Sequence, residues 1–208
     1  MDFKEIPILD LSLADDPQEK PQFLADLRNA LLNVGFLYIK NYGISQELVK
    51  QVCKFGIEFF DLSEEDKLKC EMKNGPHFLG YNRLGTEITA KQKDYREQID
   101  LATELPAPDP SEPRYRWLRG PNFWPDEKAL PGFKQVYQDY IAQMTAMSDK
   151  FICLVAEAIG LEPNVFDMFF EKKGVPNQHK LKVYSPFRFS LFSLFSLFSF
   201  YFLFIFLK

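Results

Sequence analysis

The chain has 208 residues, 46% of them hydrophobic and 26% charged, a globular composition that excludes a disordered one. A formal net charge of −4 and a pI near 5.3 leave no basic excess for a phosphate backbone, which excludes nucleic acid from the expected partners. Three cysteines, Cys53, Cys70 and Cys153, show no C-x-x-C spacing, which excludes a disulfide framework and fits a reducing compartment.

The N-terminus, MDFKEIPILDLS, has no apolar core of signal-peptide length, so the expected location is cytoplasmic. Ile6 to Leu11 reads as a short strand, broken by Asp15, Asp16 and Pro17. From Pro21, the residues Phe23, Leu24, Leu27, Leu31 and Val34 recur at three- and four-residue steps, an amphipathic helix that Gly35 ends. Phe36 to Ile39 is a compact strand of aromatic and β-branched type. Ser45 caps a second helix, whose inner face holds Leu48, Val49, Val52, Phe55, Phe59 and Phe60. Ser63 with Asp66 resembles a capping box for a short charged helix.

Asn74 to Gly85 reads as a loop, punctuated by Gly75, Pro76, Gly80 and Gly85. A strand is expected over Gln98 to Leu101, then a stiff surface connection through Pro106, Pro108, Pro110 and Pro113. Pro131 opens the strongest helix, whose apolar face runs from Phe133 to Ile159 before Gly160. Its length of about thirty residues is roughly 45 Å at 1.5 Å per residue. Pro163 restarts a short helix with Phe166, Phe169 and Phe170, and Lys180 to Tyr184 alternates as a half-buried strand does.

Five pieces in this order resemble one family. Ile6-Pro7-Ile8-Leu9-Asp10-Leu11 looks like its first strand, and Gly35 to Ile44 is similar to its glycine-aromatic strand ending in N-H-G-I, with Tyr42 in place of histidine. Phe59 to Lys67 resembles its F-F-x-L-P-x-E-x-K segment. Gly80-Tyr81 with Asp94 to Asp100 resembles its G-Y … D-x-x-E-x-x-D loop and strand. Asn122-Phe123-Trp124-Pro125 and Leu130-Pro131-Gly132-Phe133 resemble its N-x-W-P … P-G-F lead into the long helix. The family is the isopenicillin N synthase-like non-haem iron(II) dioxygenases, most of which use 2-oxoglutarate, and the resemblance covers about residues 3 to 185.

The resemblance implies an α+β chain. It is the helix-rich N-terminal part of a double-stranded β-helix, or jelly roll, truncated before the barrel is completed. Residues 1–186 are then the dioxygenase N-terminal domain and 187–208 a separate tail. It also implies iron(II) and 2-oxoglutarate as cofactors and a small-molecule substrate. In the family, iron sits on His-x-Asp … His and the far carboxylate of 2-oxoglutarate on Arg-x-Ser. This chain has two histidines, His77 and His179; neither begins His-x-Asp, and no histidine follows His179. No catalytic or metal residue is therefore assigned, neither cofactor is expected to bind this chain, and the chain as given is expected to be inactive.

Other readings of the same residues are structural. His77 is expected as a partly exposed loop residue and His179 as solvent-facing; Asp94, Glu97 and Asp100 are expected at solvated positions. Arg188-Phe189-Ser190 matches Arg-x-Ser by coincidence. The cysteines are expected buried or half-buried on helices. Tyr81 and Arg83 have the better claim to substrate contact, because the matching loop in family members approaches the mouth of the barrel. Lacking a complete barrel, the long helix is expected to leave an apolar face exposed.

The tail, FRFSLFSLFSLFSFYFLFIFLK, carries nine of the 22 phenylalanines and places Ser190, Ser193, Ser196 and Ser199 at a period of three, which fits neither strand nor helix. Phe, Ser and Leu share codons made only of pyrimidines, so the repeat reads as a translated pyrimidine-rich tract, an artefact of the gene model. Its uncharged run from Phe189 to Leu207 is also long enough to cross a bilayer, and a membrane partner follows only if the tail is genuine. Two alternatives thus stand beside the oxidoreductase: a non-catalytic partner-binding fragment, and a tail-anchored protein with a soluble helical head.

Overall fold

The computed structural model describes residues 5–86, 88–89, 92–93, 96–170 and 178–185. The tail, with Arg188, and Asp94 and Tyr95 of the resemblance lie outside the described residues. Contacts divide the chain into two units. Of the described residues, those in 5–44 and 144–170 belong to one, and those in 45–143 and 178–185 to the other.

In the first unit, strand β1 (Ile8–Asp10) pairs in parallel with β2 (Tyr38–Lys40), Leu9 opposite Ile39. Between them a 3-10 turn, Leu11–Asp15, precedes helix α1 (Lys20–Asn29), which begins with a proline in its first turn. The helix passes into a π segment, Ala30–Val34. Gly35 ends it at φ 91°, its N–H donating to the Ala30 carbonyl. Phe23, Leu27 and Ala30 form the buried stripe that the periodicity requires. Helix α4 (Phe133–Ala158) places Met144 to Ala158 in this unit. There Lys20 meets Glu157 at 2.7 Å, and the Arg28 guanidinium donates to the Ala158 carbonyl at 3.1 Å. Helix α5 (Asp167–Phe170) follows.

The second unit begins with helix α2 (Gln46–Asp61), whose first turn is closed by the Leu48 N–H donating to Ser45 Oγ. Helix α3 (Glu64–Lys69) is capped in the same way, Asp66 N–H donating to Ser63 Oγ. A three-stranded antiparallel sheet has the order β3 (Gly80–Asn82), β6 (Gln98–Ala102), β7 (Lys180–Tyr184). A small hairpin, β4 (Ile88–Thr89) with β5 (Gln92–Lys93), lies between β3 and β6 in sequence. The core of this unit is aromatic. The Phe133 ring stacks tilted on Tyr137 at 4.4 Å and Phe59 at 5.6 Å, and meets Phe55 and Trp124 edge-on at 6.2 and 6.3 Å. The buried Tyr137 hydroxyl donates to the Val52 carbonyl at 3.1 Å, tying α4 to α2.

Three expectations are corrected. The stretch read as a loop from Asn74 to Gly85 contains β3, which pairs with β6 from Gly80 opposite Asp100 to Asn82 opposite Gln98. Gly80 is there because a strand must start hard against backbone, not because the chain turns. Its φ is 110°, and a Cβ would lie 2.5 Å from the Cys70 carbonyl oxygen. The apolar face of α4 is not left open: Phe133, Tyr137, Tyr140, Ile141, Met144, Met147, Phe151, Leu154 and Val155 are all buried. Glu97, Asp100 and His77 are buried too, not solvated. Among the described residues no helix is long and apolar enough to cross a membrane.

Candidate functional site

Every residue of β6 is buried, although its sequence QIDLA alternates polar and apolar. A polar side chain in that position needs partners, and each finds them. Lys182 on β7 reaches Asp100 at 3.2 Å, and Gln98 Nε2 donates to the same carboxylate oxygen at 3.3 Å. Just before the strand, Glu97 accepts from Lys67 Nζ at 2.7 Å and from the Tyr81 hydroxyl at 2.5 Å. Lys67 also donates to the Phe60 carbonyl and lies 5.5 Å from the Tyr81 ring centre. The trio, with Glu97 and Tyr81 buried and Lys67 partly so, therefore joins the end of α2, α3, β3 and the start of β6. Desolvation raises the Tyr81 phenol well above its ordinary range, and the Glu97 carboxylate beside it adds to the shift.

Tyr81 and Arg83, the two residues expected at a substrate, point to different work. Tyr81 is buried, edge-on to Phe59 at 5.9 Å, with its hydroxyl committed to Glu97. Arg83 is half-exposed, and its guanidinium holds the buried Glu71 in two hydrogen bonds, Nε at 2.6 Å and Nη2 at 3.2 Å. Lys73 approaches the same carboxylate at 2.6 Å. Glu71 is thereby held below the usual carboxylate range, first by the Arg83 hydrogen bond and against the opposing effect of burial. Glu71 also bridges Tyr81 through the backbone, so all three side chains share one corner. Its neighbour Cys70 is buried, with its thiol pushed up to about 12 by desolvation and its Sγ donating to the Lys67 carbonyl.

The N-x-W-P segment is a second polar centre. Asn122 acts as a strand mimic for the end of β6, its Oδ1 accepting from Ala102 N–H at 2.7 Å and its Nδ2 donating to Ala102 C=O at 2.8 Å. Glu104 Oε2 gathers the same Nδ2 at 2.7 Å and Trp124 Nε1 at 2.9 Å. His77 is the third. It is buried with Nδ1 at 2.9 Å from the Trp117 carbonyl oxygen. Glu71 and Asn122 carried no signal of burial in a single sequence, nor Lys67 and Glu104 of the contacts they make. Lys67 and Asn122 do fall in segments that carry the resemblance, and membership of those motifs was the available clue.

The iron expected of the family does not fit this donor set. One of the two histidines has its Nδ1 turned to a backbone carbonyl. The other, His179, is half-buried just before β7, its backbone N–H donating to Thr103 Oγ1. Among the described residues no group of three or more His, Cys, Asp or Glu side chains is placed to hold a metal ion.

This arrangement of capped helices, small sheet and buried polar corner is that of the N-terminal part of a non-haem iron oxygenase. The family model described as "non-haem dioxygenase in morphine synthesis N-terminal" matches residues 6–127, and the chain belongs to that family. A 2-oxoglutarate-dependent dioxygenase, frbJ, of Dothideomycetidae sp. (strain 11243) is 54% identical over 183 residues, 88% of this chain and 48% of the relative. A 2-oxoglutarate-dependent dioxygenase of Gibberella zeae is 42% identical over 76% of this chain and 41% of the relative. The crystal structure of a full-length Neurospora crassa protein in complex with alpha-KG superposes with a TM-score of 0.62 at 25% identity. It covers 78% of this chain and 50% of that one, and the same protein has also been crystallised with alpha-KG and thymine. The chain thus spans about half the length of the relatives it matches.

Proposed function

We propose that this chain is the N-terminal scaffold of an iron(II)- and 2-oxoglutarate-dependent oxidoreductase acting on a small molecule, and that its own residues supply no iron site. The observation that carries the proposal is the pairing of a strong family match over residues 6–127 with a sequence holding no His-x-Asp and no histidine after His179. The scaffold domain is residues 1–186, and residues 187–208 are a segment apart from it. Within the scaffold, Arg83 is the residue that touches substrate. Glu71 takes Nε and one Nη2 hydrogen of a guanidinium with five N–H donors, and the side chain is half-exposed. Tyr81 serves the same corner from behind, through Glu97 and the β3 backbone.

The test is mass spectrometry of cells expressing the gene, searching for peptides beyond Tyr184. Peptides continuing into His-x-Asp, a distant histidine and Arg-x-Ser are expected, with none from the Phe-Ser-Leu repeat. Abundant native product ending at Lys208 in the membrane fraction would contradict the proposal. In a product carrying the barrel, Arg83→Ala should raise KM for substrate more than it lowers kcat.

A further inference from the structure

Phe78 is the one described non-glycine, non-asparagine residue with a positive φ, at 54°. Its side chain is 61% exposed. An L-aromatic residue is rarely found in the left-handed region, and it persists there only when its surroundings over-determine the backbone. Burial of Phe78 itself does not hold it. Its neighbours do: His77 and Leu79 on either side are both buried, and Gly80 behind them sits against the Cys70 carbonyl.

The His77 contact is specific. The Trp117 carbonyl oxygen is only an acceptor, so the imidazole nitrogen 2.9 Å away, Nδ1, must carry the proton. Trp117 belongs to the 3-10 helix Arg114–Leu118, forty residues further along the chain. The same edge of the ring packs against Gly120. A Cβ there would collide with both Cε1 and Nδ1, so that position has room only for glycine. Three residues after His77 the chain enters β3 in register with β6, and three after that it reaches Arg83.

We propose that His77 is a positioning residue. Through its Nδ1–H it latches the loop before β3 to the Arg114–Leu118 helix, forces Phe78 outward, and so sets where β3 begins and where Arg83 is aimed. The importance of that aim rests on the substrate role proposed for Arg83; the latch itself does not, and is tested without substrate.

The experiment is imidazole 15N NMR and amide hydrogen exchange on the full chain. Wild type should show His77 protonated at Nδ1. In His77→Ala, exchange at Leu79 to Asn82 should speed up about tenfold relative to α4, as loss of one buried hydrogen bond implies. His77→Asn, whose amide nitrogen stands near the place of Nδ1, should restore protection to within about twofold, whereas His77→Gln should not. Gly120→Ala should speed the same amides in wild type and add little in the His77→Ala background. An Nε2–H tautomer in wild type would overturn the proposal even if no variant folds. So would equal behaviour of the Ala and Asn variants, or faster exchange that is no greater at Leu79 to Asn82 than in α4.

Discussion

At Glu97 three residues converge, and their unequal roles give a graded test. Lys67 neutralises a carboxylate that is almost out of water, while Tyr81 adds one short neutral-donor hydrogen bond. Removing the cation strands a buried charge, which is far more costly than removing one of its hydrogen bonds. Lys67→Met should therefore destabilise by about 3–5 kcal/mol and Tyr81→Phe by about 1–2 kcal/mol, read from urea midpoints at unchanged m. Equal effects would mean that the charge is not buried as described. Glu71 gives a pH test of the same corner. Its carboxyl is depressed by Arg83 and then Lys73, so the stability it contributes is present above the ordinary value of 4.5 and is lost as pH falls through the lower folded value. The stability gap between wild type and Glu71→Gln should be widest near neutral pH and should close below about pH 4.5. A gap unchanged down to pH 3 would place the ion pair elsewhere.

Among the elements, those with a strong local signal were legible in the sequence. The Ser45 and Ser63 caps, the Gly35 stop and the strand Lys180–Tyr184 stand where periodicity and capping chemistry put them. α4 spans 26 residues, slightly inside the Pro131 to Gly160 window. Strand β3 was not legible, because it is three residues long and opens with a glycine. In one dimension, a glycine excluded by a carbonyl from elsewhere looks the same as a glycine in a turn. The buried polar residues were not legible for a related reason. Glu97 meets Lys67 from thirty residues away and Asp100 meets Lys182 from eighty-two, so their polarity alone reads as solvent-facing. The resemblance reached further, since the N-x-W-P segment marked Asn122 without saying what it does. Asn122 in fact terminates β6, its side chain making two hydrogen bonds to the Ala102 backbone while its amide group and backbone N–H each donate to Glu104. Asn122→Ala leaves the Ala102 N–H and C=O buried and unpaired, which should cost about 2–4 kcal/mol in thermal or urea unfolding. Asn122→Asp, which keeps only the acceptor and sets a second carboxylate beside Glu104, should not rescue it.

For the whole molecule, family membership does not by itself supply an iron site. The scaffold carries the buried networks, the aromatic core and the half-exposed Arg83 of an oxygenase N-terminal region, matched over residues 6–127. Among the described residues, no two imidazoles and a carboxylate are grouped as the three facial ligands that iron needs. The most direct measurement is made on the purified 208-residue chain, loaded anaerobically with iron(II), desalted, and supplied with 2-oxoglutarate and oxygen. Retained iron is measured by mass spectrometry and succinate by chromatography. The expected result is iron well below one equivalent, no more than a surface control protein retains, and no succinate above that control. One tightly held iron per chain together with succinate formed from 2-oxoglutarate would contradict it.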